Sequence, residues 1–168
     1  MLGFLRCYHW PLLTLLAVCL IGYFGRSSIG QVYSAAQAVD LLEALSRAGL
    51  YLASAIATAM TTIIALMLTL IGMIRRMDTD FDHGAYRDVA MVARASTISL
   101  LFSLLLLMAF ALPIGEFEDL PATWFENVYD GLFAGTVFMV GLAAATVVLI
   151  YTTIMRVIDT IMPSDDDG

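Results

Sequence analysis

The sequence predicts an all-α fold, a polytopic four-helix transmembrane bundle with both ends cytoplasmic and helices two and three extended beyond the bilayer. Three observations predict it. The chain is 61% hydrophobic and 14% charged, whereas soluble domains average roughly 45–50% and about 25%. The apolar residues gather into four blocks instead of scattering along amphipathic elements. The arginines, finally, fall mostly on one side of those blocks. All 168 residues form a single domain.

The first block covers residues 8–24 (YHWPLLTLLAVCLIGYF) and is short for a hydrocarbon core that takes about 20 residues. A cleaved signal peptide would need small residues before its cut, but Tyr23 stands at that point for a cut near Gly25, and Ser28/Gly30 is only a passable site. A lipoprotein signal is hinted at by Leu15-Leu16-Ala17-Val18-Cys19, yet Val18 occupies the place of a small residue and the apolar run continues. An uncleaved span fits better, with Tyr8, Trp10 and Tyr23 as interfacial anchors.

Between Gln37 and Arg47 a helical pattern sets Ala38, Leu41, Leu42 and Leu45 against Asp40, Glu43 and Arg47. Glu43 and Arg47 form an i,i+4 pair in the favourable order. No proline separates this segment from the second block, so one helix is expected from about Gln31, with Gly49 at the membrane entry. The second block, 48–74, has 27 residues without a charge and ends at Arg75-Arg76. The third, 95–114, has 20 and stops at Pro113 and Gly115, its helix beginning near Gly84. The fourth, 131–155, has 25 and stops at Arg156; the acidic tail 163–168 is a solvated end.

With the N-terminus inside, Arg6, Arg75, Arg76, Arg87, Arg94 and Arg156 are cytoplasmic and only Arg26 and Arg47 lie outside. Four spans satisfy the preference of cytoplasmic loops for arginine. The expected location is a bacterial cytoplasmic (inner) membrane. The net charge of −7 excludes nucleic acid, whose phosphates need clustered cations. Cys7 and Cys19 lack the spacing of a zinc site or disulfide framework.

Asp78, Asp80 and Asp82 alternate as a calcium loop begins. The glycine then falls at the seventh position instead of the sixth, and Val89 stands where the twelfth-position glutamate belongs. Capping of the next helix by Asp80 or Asp82 explains the same residues better. His83 and His9 have no further ligands near them in sequence. The second, third and fourth blocks contain no Asp, Glu, Lys, Arg or His, which disfavours proton relays and coupled carriers. No catalytic residue and no cofactor is expected.

Small and hydroxylated residues remain. Ala53 and Ala57 in the second block, and Gly131, Gly135, Gly141 and Ala145 in the fourth, have the spacing that lets helix backbones approach. Thr58, Thr62, Thr69, Ser99 and Ser103 admit two roles: bonding within a packed helix interface, or lining a narrow aqueous path. The segment 115–130 carries Glu116, Glu118, Asp119, Glu126 and Asp130 with Trp124, Phe125 and Tyr129. It is expected to be an outer loop, solvated or focusing cations at a pore mouth. The sequence therefore points to a non-enzymatic subunit partnered by the lipid bilayer and by other membrane subunits or itself. The alternative is a small oligomeric cation channel.

Overall fold

The computed structural model describes residues 2–29, 35–74, 83–112 and 122–161. They form four helices: α1 (Leu2–Ile29), α2 (Ala35–Ile74), α3 (His83–Phe110) and α4 (Ala122–Ile161). Each contains a stretch long and apolar enough to cross a membrane: His9–Ser27, Leu41–Met73, Arg87–Phe110 and Asn127–Met155. Helix is the natural outcome, because a backbone in hydrocarbon must satisfy every N–H and C=O within its own segment.

The helix ends follow from local chemistry. α1 runs through Pro11, whose missing N–H leaves the Cys7 carbonyl without its helical donor. α2 begins at Ala35; the expected start near Gln31 lies outside the described residues. Gly49, expected at a boundary, is buried well inside α2. α3 ends at Phe110, four residues short of the apolar block. Ala111 N–H donates to the Leu107 carbonyl at 3.0 Å and Leu112 N–H to that of Ala109 at 3.4 Å, a tightened last turn ahead of Pro113, which disfavours helix at the residue before it. α4 begins at Ala122, so Glu126 and Asp130 stand on a helix and not in the expected loop. Val128, Tyr129 and Leu132 already join the core there, which gives that first stretch a surface to pack on.

The helices run up and down, but they are not equivalent. α2, α3 and α4 pack against one another, while α1 packs on α4 alone among the described residues. The core lies within the three-helix group: Leu42, Ala53, Leu106, Phe110, Tyr129, Leu132 and Met139. α1 is an outlying helix, with Trp10, Leu13, Ile21 and Tyr23 all facing outward.

Candidate functional site

The buried face of α3 is the most regular feature. Val89, Val92, Ser96, Ser99, Ser103, Leu106 and Phe110 are all buried, and their spacing alternates between three and four residues throughout. That is a heptad seam, the pattern of helices packed side chain into hole. α4 answers with Leu132, Met139, Thr146 and Leu149 buried and Gly135 and Leu142 half-buried between them.

The seam changes chemistry along its length. At one end the large residues of α3 meet glycines. A Cβ added at Gly49 of α2 would overlap the Phe110 ring, and one at Gly135 would come within 3.0 Å of Leu106 Cδ2. In the middle it is hydroxylated. Thr146 Oγ1 donates to the Leu142 carbonyl at 2.8 Å and lies 3.3 Å from Ser99 Oγ. A hydroxyl has one proton, so with Thr146's engaged, Ser99 is the donor across the interface. Ser103 Oγ donates to the Ser99 carbonyl at 2.9 Å. Ser96 Oγ, buried as completely, finds no partner among the described residues.

A second seam joins α1 to α4 by exchange of small and large residues. A Cβ at Gly22 of α1 would strike Val137 of α4, and a Cβ at Gly141 of α4 would rest on Leu15 of α1. An ion pair closes one end. Arg26 reaches Asp130 Oδ1 through Nε at 2.8 Å and through a terminal nitrogen at 2.7 Å. Its guanidinium carbon lies 5.3 Å from the Tyr129 ring centroid, within reach of a cation–π contact.

The outer face of α2 is different again. Ala55, Thr58, Thr62, Ala65, Thr69 and Gly72 are all exposed and also alternate by three and four. Thr58, Thr62 and Thr69 donate to the carbonyls of Ser54, Thr58 and Ala65 at 2.9–3.0 Å. Bonding back to the preceding turn satisfies each proton within the helix and leaves oxygen lone pairs outward.

The hydroxyls expected to act together therefore fall into two groups. Ser99 and Ser103 are inside the bundle, and Thr58, Thr62 and Thr69 are on its outer surface. Of the small residues, Ala53 is fully buried, Ala57 half-buried, Gly135 under Leu106 and Gly141 under Leu15, and Ala145 lines a groove between α1 and α3. Gly131 is exposed, with nothing within 4 Å of its added Cβ. Asp78, Asp80, Asp82, Glu116, Glu118 and Asp119 lie outside the described residues, as does the side chain of Glu126. Among the described residues no three His, Cys, Asp or Glu side chains gather as a metal site. Gly22 and the Arg26–Asp130 pair have no counterpart in the sequence reading, and Gly49, expected at a membrane boundary, is instead a packing glycine under Phe110. For the pair a signal existed: Arg26 follows the first apolar block, and the acidic segment 115–130 precedes the fourth.

These features define a class. The described residues form an all-helical bundle with four helices long and apolar enough to cross a bilayer, the mark of an integral membrane protein. No family model, curated protein or solved structure matches it.

Proposed function

We propose that the chain is a non-enzymatic accessory subunit that holds together a larger membrane complex or a homo-oligomer. In this proposal it sits in a bacterial cytoplasmic membrane with both ends inside, and α2 and α3 project past the lipid. The observation that carries it is the outer face of α2: six small residues in heptad register, with no helix among the described residues covering them. In lipid, helices associate by close packing of small residues, since apolar surface gains nothing by leaving acyl chains. Ala53, with the same 3/4 spacing, is used that way inside the bundle. The lack of ionisable side chains in the second to fourth apolar blocks supports a structural over a chemical role.

Mild-detergent purification of the tagged chain tests this. Other membrane subunits, or further copies, are expected to remain with it, and Thr62→Leu or Ala65→Leu to release them. A monomer that retains nothing overturns the proposal.

One observation favours the second reading, an oligomeric cation channel. Thr58, Thr62 and Thr69 share that exposed face with lone pairs outward, and oxygen lone pairs suit a cation path. Cation flux through liposomes, abolished by Thr62→Leu, is its expected signature; sealed liposomes exclude it.

A further inference from the structure

Because α1 touches α4 alone among the described residues, a wedge opens between α1 and α3 with α4 as its floor. The space is about 330 Å³ and is walled by Pro11, Leu12 and Leu15 of α1, Ile98 of α3, and Leu142 and Leu149 of α4. At 1.5 Å per residue, the stretch from Leu142 to Leu149 gives it a length of about 10 Å, roughly a third of a ~30 Å hydrocarbon core. One cation also lines it. Arg94 is exposed, stands immediately before the uncharged third block, and meets no carboxylate among the described residues.

We propose that this wedge seats one acyl chain of an anionic phospholipid whose phosphate is held by Arg94. Two independent features select that occupant. The walls are mostly apolar and belong to stretches long and apolar enough to cross a membrane, so acyl chains are the surroundings available to fill them. The lining charge is positive, and guanidinium matches phosphate oxygens in a fork of donors. A zwitterionic lipid carries its own cation beside the phosphate, so Arg94 favours the anionic one. Basic pockets between membrane helices recognise such headgroups by the same charge logic.

Trp10 adjoins Pro11 at the wedge and is exposed, so it can report the occupant. The full chain carrying Trp124→Phe is placed in phosphatidylcholine bilayers, with either phosphatidylglycerol or phosphatidylcholine as the brominated, quenching lipid. Preference for the anionic quencher is expected to be about fivefold, the ratio equivalent to the ~1 kcal/mol that one basic residue contributes near a surface. Arg94→Gln should bring it to about one. Ala95→Leu and Ala145→Leu fill the wedge from α3 and α4 without touching a charge, and each should lower the preference likewise. Persistence of the preference in both filled variants means general attraction to an anionic surface and overturns the seat. So does an unchanged ratio in Arg94→Gln, or a ratio near one in the parent chain, as when a protein helix fills the wedge. Far-UV circular dichroism matching the parent is required of each variant, with whichever of Ala95→Leu and Ala145→Leu retains it deciding the case.

Discussion

Ser96 and Ser99 occupy equivalent depths in the seam of α3 yet have opposite energetics. Ser99 donates across to Thr146, whereas Ser96 has a buried hydroxyl without a partner among the described residues. Such an orphan costs about 1–3 kcal/mol. Ser96→Ala is therefore expected to raise stability by about 1 kcal/mol, and Ser99→Ala to lower it by roughly 0.6 kcal/mol, the average for hydrogen bonds between membrane helices. Reversible unfolding in mixed micelles of increasing SDS content measures both. If Ser96→Ala is the more destabilising of the two, the assignment of the orphan is wrong. Met139, the largest fully buried side chain, supplies a contrast. Core truncations of this kind cost about 2–5 kcal/mol in soluble proteins. Here the transfer part largely vanishes, because the unfolded reference is already in lipid. Met139→Ala is expected near the lower end, about 2 kcal/mol, in the same SDS titration.

The spacing of Ser96, Ser99 and Ser103 on α3 and the small Gly135 on α4 were the residue-scale clues to the seam in the sequence. Val89, Val92, Leu106 and Phe110 complete the register, but they are invisible amid Leu100, Leu101, Leu104 and Leu105, which are equally apolar and face the lipid side or lie half-buried. Gly49 shows the same difficulty. A glycine at the start of an apolar block resembles a boundary until the Phe110 ring is found lying on it.

Among the elements, α1 is the weakly held one. Its seat on α4 depends on Gly22, Gly141 and the Arg26–Asp130 pair, with a half-buried guanidinium and a more exposed carboxylate. Exposed pairs contribute about 0.2–1 kcal/mol, and the Tyr129 ring adds a cation–π term of about 0.5–1 kcal/mol at an exposed site. Loss of Arg26 should therefore loosen α1 without unfolding the rest. With Cys7 and Cys19 replaced by serine, the double variant Leu15→Cys, Gly141→Cys is expected to cross-link under mild oxidation. Adding Arg26→Gln should slow that reaction several-fold, and Gly22→Leu should abolish it. Retention of full cross-linking in Gly22→Leu shows that α1 is held by something else. By contrast, Glu43 and Arg47 pair at 2.8 Å as their spacing predicts, with both side chains largely exposed. Arg47→Ala should change stability by less than about 0.5 kcal/mol.

For the whole molecule, the bundle is a three-helix group with α1 attached to one side. One face of α2 is turned inward by Ala53 and Met60, and the opposite face presents Thr58, Thr62 and Thr69. Under the proposed function, this second small-residue face is where other subunits or further copies pack. Substitutions on that outer face are expected to leave SDS stability of the isolated chain within about 0.5 kcal/mol of the parent, as surface changes do, while disrupting assembly in mild detergent. An equal loss of both would place the face inside the fold.

From the sequence alone, four stretches long and apolar enough to cross a membrane were legible, with the charges that separate them, but not where each helix begins and ends. Length and charge suffice for the stretches, because a hydrocarbon layer of fixed thickness excludes ions and demands helix. Packing decided which face of each helix turns inward, that α1 leans on α4 alone among the described residues, and that Ser99 and Ser103 lie inside while Thr58, Thr62 and Thr69 lie outside. The physical reason is that hydropathy loses its phase in a bilayer. Lipid-facing and core-facing side chains are equally apolar, so the inward face is chosen by size and shape, and these become legible only when two helices are seen together.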